Sequence, residues 1–263
     1  MRKPKSDYSI QTVSNALHLL EAFADEHEIG VADLSRRLGL HKNNVFRLLA
    51  TLEEHGYIEQ NARTERYRLG LRNLELGQAF ARSREELLAR ARPTLEALAD
   101  ETRETVHLGM IDEFEVVHVD GVRAPRMIQC ALRLGWRLPV HCTALGKAML
   151  ACGPDSEWER FDRTVAHGRA LEARTPHTVT DRAKFVEELR AVAARGAAFD
   201  LGECEEGLGC AAAPVHDAEG RVIAAISISA PLSRSSTEQL HTEVAPRLVE
   251  AVCDLSRQLG FPG

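Results

Sequence analysis

The sequence predicts an α+β protein with three helices and a β-hairpin in residues 1–70, a linker helix in 71–92, and a mixed α/β domain with a mostly antiparallel sheet in 93–263. Apolar residues recur at helical spacing early in the chain, and from Thr105 the pattern changes to the strand period of about 2. The 263 residues suffice for two domains, since domains usually hold about 100–200 residues.

Three short helices open the chain. Residues 9–23 carry apolar side chains at helical spacing, with Ser9 as the start signal. A second apolar set ends at Gly39, and a third is closed by Gly56 in the position of a C-cap. Two short helices separated by a glycine turn, after a supporting helix, predict a helix-turn-helix.

A hairpin follows the third helix. Residues 57–60 and 66–69 are short β-prone runs on either side of a charged tip. The helix-turn-helix and this hairpin together predict a winged helix-turn-helix domain.

The exposed face of the third helix suits DNA. Asn and Arg side chains can pair with adenine and guanine edges, and small Ala50 and Thr51 let the helix approach the major groove. A merely solvated face is the alternative, which the winged helix-turn-helix context disfavours. The candidate DNA-binding residues are Lys42, Asn43, Asn44, Arg47 and Thr51 on the helix, and Arg63, Arg66 and Arg68 on the wing.

The charge distribution restricts where DNA could bind. The net charge is −6, but residues 1–70 hold ten basic and ten acidic residues, so the excess negative charge lies entirely after residue 70. Phosphate contacts must therefore come from the first domain.

The second domain alternates strands and helices. We expect Pro93 to open a helix that ends near residue 101. The predicted strands are 105–111, 115–119, 127–132, 197–201, 209–215 and 221–229, and the predicted helices are 144–151, 181–195 and 236–259.

A turn at 217–220 predicts a face with room for a ligand. If residue 217 pairs with 220, Cys210 lies opposite Ser227, and Ser229 shares their face. Small side chains with S–H and O–H groups leave space and offer hydrogen bonds, although simple packing of small residues is the alternative. Thr143 can cap the helix that starts at 144, and a helix N-terminus favours a carboxylate.

An enzyme and a metal site are the rival interpretations of this domain. A thiol enzyme would use Cys142 or Cys210 with His141, His107 or His118 as base, but no cysteine hydrolase motif surrounds them. The metal candidates, whose spacing lacks the regularity of zinc sites, are His141, Cys142, Cys204 and Cys210. We therefore expect no enzyme activity, no metal and no cofactor.

Several separated segments resemble the IclR family of bacterial transcriptional regulators. Residues 39–53 (GLHKNNVFRLLATLE) are similar to the recognition-helix segment of that family. Residues 56–58 and 66–70 are similar to its wing. Residues 138–148 (LPVHCTALGKA) resemble its effector-binding motif. A second part of that motif is matched by Asp200, Glu203, Gly207, Cys210, Ala212, Pro214 and Val215.

The resemblance implies a GAF-like effector domain, homodimers that can pair into tetramers, and control of a catabolic or metabolic operon, with repression as the expected mode. It also implies an organic acid held by Asp200, Cys210, Ser227, Ser229 and the backbone N–H groups of Ala144 and Leu145. Without an apolar run of about 18 residues or a signal peptide, we expect a cytoplasmic protein. The alternative is a small-molecule sensor or thiol enzyme whose N-terminal module makes only protein contacts.

Overall fold

A computed structural model describes residues 9–24, 26–132, 134–166, 168 and 170–263. The chain divides into two compact units, Met1–Glu85 and Glu86–Gly263. Within the described ranges, no helix is both long enough and apolar enough to span a membrane.

The first unit is a winged helix-turn-helix with one added helix. Its elements are α1 (Gln11–Glu21), α2 (Val31–Leu38), α3 (Lys42–Glu54), β1 (Ile58–Gln60), β2 (Tyr67–Leu69) and α4 (Arg72–Ser83). Leu19, Leu34 and Leu49, one from each of the first three helices, are completely buried in a shared core. Gly39 has a φ of 64°, the left-handed conformation that turns the chain from α2 into α3.

The wing is tied to the segment before α2. Ile29 and Tyr67 exchange two backbone hydrogen bonds, each of 2.9 Å. The guanidinium of Arg66 donates to the carbonyl oxygen of Glu28 from Nε and Nη2, at 3.3 and 3.0 Å. These bonds fix the hairpin beside the helices.

Two helices occupy the predicted linker region. α4 ends at Ser83 and α5 (Glu85–Thr102) begins after Arg84, so two helices that meet at Arg84 stand where one linker helix was predicted. The expectation that Pro93 opens a new helix is wrong, because Pro93 lies inside α5. Pro93 leaves one carbonyl of the preceding turn without its usual donor, but burial of Ala91 and Leu95 on either side of it keeps the helix continuous.

The second unit is built on one six-stranded antiparallel sheet in the order β5-β4-β3-β8-β7-β6. The strands are β3 (Thr105–Asp112), β4 (Glu115–Val122), β5 (Arg137–Pro139), β6 (Ala198–Leu201), β7 (Leu208–His216) and β8 (Val222–Pro231). The helices are α6 (Ala144–Cys152), α7 (Asp155–Ala166), α8 (Arg182–Arg195), α9 (Thr237–Gln239) and α10 (Ala245–Gln258). A 3₁₀ turn, Val140–Cys142, precedes α6, and a π-helical turn, Leu240–Val244, joins α9 to α10.

The two faces of the sheet have different cores. One face packs against α5 and α10 through residues such as Leu95, Ile226 and Leu248. The other packs against α6 and α8 and contains Cys210 and Ala225. The second face carries the polar residues of the predicted pocket.

Three predictions for this unit need correction. Residues 127–132 form no strand; Met127 and Ile128 are exposed, and the edge strand is the short β5. Helix α7 was not predicted. The predicted last helix, 236–259, begins with a capping box at Ser236 but contains a π-helical turn.

The register between β7 and β8 also differs from the prediction. Cys210 lies opposite Ser229, and Ala212 lies opposite Ser227. The turn is longer than expected, since the N–H of Asp217 bonds the carbonyl of Arg221, and the register shifts once more at Val215/His216. The resulting displacement is two residues, so every side chain keeps its predicted face.

Candidate functional site

The exposed face of α3 presents all five predicted residues to solvent: Lys42, Asn43, Asn44, Arg47 and Thr51. Thr51 donates its hydroxyl to the carbonyl oxygen of Arg47 at 2.9 Å. The guanidinium of Arg47 has no hydrogen-bond partner in the described part of the chain. Phe46, which was not predicted, is 57% exposed on the same helix, and an apolar ring can contact a thymine methyl group.

The three wing arginines differ in their partners. Arg66 is held by Glu28 and lies 3.6 Å from Asp33, and Arg68 pairs with Glu59 across the hairpin. The guanidinium of Arg63 bonds to none of the residues that the structure describes. Arg63 is therefore the wing cation that can reach a phosphate without breaking an internal contact.

The second unit contains a cavity of about 600 Å³ on the α6 side of the sheet. This volume is within the usual range of about 300–1,000 Å³ for small-molecule sites. The predicted ligand residues all line it: Ala144, Leu145, Asp200, Cys210, Ser227 and Ser229. The sheet contributes the last four of these from β6, β7 and β8.

The N-terminus of α6 forms another wall of the cavity. The hydroxyl oxygen of Thr143 accepts from the N–H of Gly146 at 3.3 Å, so the predicted cap is present. Gly109 in β3 allows α6 to approach, because a Cβ atom there would lie 2.9 Å from Leu145 Cδ1. The first N–H groups of a helix lack intrahelical partners, so those of Ala144 and Leu145 are available to an anion.

Asp200 is a buried acid at the β6 end of the cavity. Its Oδ1 accepts from the backbone N–H groups of Glu203 and Cys204, at 2.7 and 3.3 Å. Burial is the largest influence on this carboxyl and raises its pKa to about 7, while the two hydrogen bonds act in the opposite direction. Near neutral pH the carboxyl can therefore donate a hydrogen bond as well as accept one.

Lys147 organises the loop that follows β6. Its side chain is completely buried, and Nζ donates to the carbonyl oxygen of Phe199 at 3.1 Å and to the carboxylates of Glu188 and Glu203. Glu203 is thereby held outside the lining of the cavity, whereas the nearby Glu205 and Glu206 belong to that lining. A buried ammonium needs such partners, but no local pattern in the chain indicates which carboxylates supply them.

The lining also includes residues that were missed as ligand contacts, among them His107, His118, Gln129, Trp136 and Arg174. Sequence reasoning considered the two histidines only as bases. Their strands, β3 and β4, join the pocket because β3 pairs with β8, a contact between residues about 120 positions apart. Local periodicity carries no information on such a pairing.

The environment of Cys210 and His107 does not favour a catalytic thiol–imidazole pair. Burial raises the pKa of Cys210 well above its usual range and lowers the pKa of His107 to about 3, so both are neutral at pH 7. A reactive thiolate–imidazolium pair needs the opposite shifts. His141 bonds the carbonyl oxygen of Glu172, and the described residues contain no group of three or more His, Cys, Asp or Glu side chains placed to hold a metal.

Comparisons with known proteins agree with this geometry. The family model described as the IclR helix-turn-helix domain matches residues 12–62, and the model described as bacterial transcriptional regulator IclR C-terminal matches residues 79–258. The chain is 35% identical to the HTH-type transcriptional regulator KdgR of Dickeya chrysanthemi, covering 98% of this chain and 82% of that protein. It is 29% identical to the transcriptional repressor IclR of Escherichia coli, covering 95% and 90%.

A solved structure is also similar over nearly the whole chain. It is an IclR homologue from Microbacterium hydrocarbonoxydans in complex with 4-hydroxybenzoate. The two chains are 25% identical with a TM-score of 0.76, and the match covers 94% of this chain and 98% of the other.

Proposed function

The chain belongs to the IclR family of bacterial transcriptional regulators and is a DNA-binding regulator of transcription, and we propose that it represses a catabolic or metabolic operon under the control of a small organic acid. The proposal includes no catalytic role, in keeping with the raised pKa of the buried Cys210 thiol. It places the protein in the cytoplasm, where bacterial DNA lies.

The observation that carries the proposal is the cavity next to the N-terminus of α6. Free N–H groups of Ala144 and Leu145 suit a carboxylate, and Asp200 suits a hydroxyl or another neutral polar group. Ser227 lines the cavity, and its hydroxyl bonds to no other described side chain or backbone group, so it can donate to a ligand. These groups favour a carboxylic acid with a second oxygen function, a class to which the 4-hydroxybenzoate of the Microbacterium structure belongs.

Self-association is the second part of the proposal. In the first unit, α1 and α4 carry apolar side chains of which about half or more of the surface is exposed: Val13, Leu17, Leu74, Leu76 and Phe80. Such a surface is typical of a protein interface. A dimer would present two recognition helices to a symmetric operator, and pairing of dimers would give a tetramer.

A gel shift and a ligand screen test the proposal together. The protein should retard DNA from upstream of its own gene and should bind unrelated DNA more weakly. A thermal-shift screen of keto, hydroxy and phenolic acids should find a compound that raises the Tm and changes the gel shift. A protein that binds all DNA equally, or that responds to none of the acids, would contradict it.

A further inference from the structure

A row of polar side chains crosses five strands of the sheet on the cavity side. Its members, in the order of the strands from β6 to β4, are Asp200, Cys210, Ser229, His107 and His118. Asp200 pairs with Cys210 and Cys210 with Ser229 in the sheet register. The row continues to the histidines, whose ring centroids are 4.7 Å apart.

The hydrogen bonds within this row assign its donors and acceptors. Nε2 of His107 lies 3.4 Å from the carbonyl oxygen of Ala131, which can only accept, so this nitrogen carries the proton. A neutral imidazole then accepts at Nδ1, and the hydroxyl of Ser229, 3.4 Å away, donates to it. The oxygen of Ser229 accepts in turn from the thiol of Cys210 at 3.1 Å. Ser229 has therefore used its one proton and cannot donate to a ligand.

His118 is the member of the row whose hydrogen bonding is incomplete. It lines the cavity, is only 7% exposed, and its Nδ1 is a buried nitrogen without a hydrogen-bond partner among the described residues. Because Nδ1 has almost no accessible surface, a ligand in the cavity reaches the ring at Nε2, which also bonds to none of the described residues but is not shielded in this way. A polar atom left unpaired when a ligand fills the cavity costs about 1–3 kcal/mol, so a ligand group that pairs with Nε2 is favoured.

The imidazoles of His107 and His118 are both uncharged at neutral pH. Burial lowers the pKa of His118 to about 4, and burial together with the neighbouring imidazole lowers the pKa of His107 to about 3. A neutral imidazole has one donor and one acceptor nitrogen, which matches a hydroxyl group and offers an anion little. The carboxylate of a ligand binds more favourably to the backbone N–H groups at the N-terminus of α6.

We propose that His118, held in place by a tilted ring contact with His107, is a second polar binding point of the cavity, which recognises a hydroxyl group on the effector. This inference rests on the proposed organic-acid function and narrows it to hydroxylated acids whose carboxylate binds at the N-terminus of α6. His118 acts as a specificity residue: it discriminates a hydroxylated acid from the same acid without the hydroxyl.

Calorimetry with two pairs of acids tests this role. The members of each pair differ by one hydroxyl: 4-hydroxybenzoate and benzoate, and lactate and propionate. In wild-type protein the hydroxylated member of the pair that fits should bind more tightly. His118→Phe keeps a flat ring but removes both nitrogens, so it should weaken the hydroxylated acid by about tenfold, the effect of one lost hydrogen bond, and the other acid by less than about twofold.

Two further variants separate recognition from packing. His118→Gln keeps a donor and an acceptor and should restore part of the preference for the hydroxylated acid. His216→Phe, which replaces a half-buried histidine stacked on Phe261 outside the cavity, should leave both affinities unchanged. A lowered Tm in His118→Phe with the same affinity ratio as wild type would show a structural role only and would overturn the inference.

The remaining outcomes distinguish this inference from the function on which it rests. If wild-type protein binds both members of a pair equally, the cavity holds acids and the inference about His118 is wrong. If wild-type protein binds neither these four acids nor any acid of the thermal-shift screen, the proposed organic-acid function is overturned, and the inference falls with it.

Discussion

Single side chains determine how each proposed site would respond to its ligand. The pKa of Asp200, about 7, lies above the ordinary Asp value of 3.8 because the carboxyl is buried. When the Asp200 carboxyl is neutral, it does not repel an anionic effector. When it is ionised, its negative charge repels the effector. The affinity for 4-hydroxybenzoate or another acid that binds should therefore fall by up to about tenfold between pH 6 and pH 8.

The same pKa shift affects stability. Between pH 3.8 and about 7 the folded protein binds more protons at Asp200 than the unfolded chain does, so this residue's contribution to the free energy of unfolding decreases as pH rises. Asp200→Asn does not titrate and should flatten both pH profiles. Unchanged profiles in this variant would assign the pH dependence to other groups.

Arg47 on α3 and Arg63 on the wing can be compared directly, because the guanidinium of neither bonds to a described residue. Arg47→Ala should cost about 1–3 kcal/mol at the operator and relax its sequence specificity, because a guanidinium can read guanine. Arg63→Ala should weaken all sequences evenly and reduce the slope of log K against log salt by about 1. Gel shifts on operator and scrambled DNA at several salt concentrations measure both effects. Equal, sequence-independent losses would remove α3 from the role of base reader.

At the scale of whole elements, Lys147 links α6 to α8 and to the loop after β6. Lys147→Met leaves the carboxylate of Glu203 buried without its cation, and removal of one partner of a buried pair costs about 3–5 kcal/mol. Chemical denaturation should show this loss. Arg182→Met breaks an ion pair with Asp162 on the surface and should change stability far less. Similar losses in the two variants would contradict the structural role of Lys147.

The elements also show what local sequence can specify. The stripe of Leu48 and Leu49 and the alternation around Ser227 and Ser229 predicted buried faces that the structure contains, because helix and strand periods are local properties. The predicted register of β7 on β8 was wrong by two residues. The longer turn and the bulge at Val215/His216 cause this difference, and neither has a periodic signal in the sequence. Pro93 shows that tertiary burial can override a local rule.

The cavity was predicted in part for the same reason. Ser227, Ser229 and Cys210 come from one hairpin, so their common face follows from alternation. His107 and His118 come from strands whose position depends on the order of the whole sheet, and Arg174 lies outside regular secondary structure. Long-range contacts of this kind are decided by the packing of the complete unit.

For the whole molecule, the exposed apolar surface of α1 and α4 predicts a dimer. Leu17→Glu and Leu74→Glu place charges on side chains that are 55% and 60% exposed, so the monomer should fold while its self-association weakens. Analytical ultracentrifugation should show monomers, and operator affinity should fall because one helix-turn-helix covers only a half-site. His18→Glu, which adds the same charge beside Leu17, is the control. Dimers that survive both leucine substitutions would place the interface elsewhere.

The last prediction concerns communication between the two units. The chain passes from one to the other through α4 and α5, with only Arg84 between the helices. An effector in the second unit should change DNA affinity by about 1–3 kcal/mol if these helices transmit its effect. Two glycines inserted after Arg82 lengthen and loosen the junction, so effector binding should remain while the DNA response is lost. The same insertion after Ala218, in the exposed turn between β7 and β8, should preserve both. Gel shifts with and without effector measure the response, and a response that survives the first insertion would show that the signal does not depend on this junction.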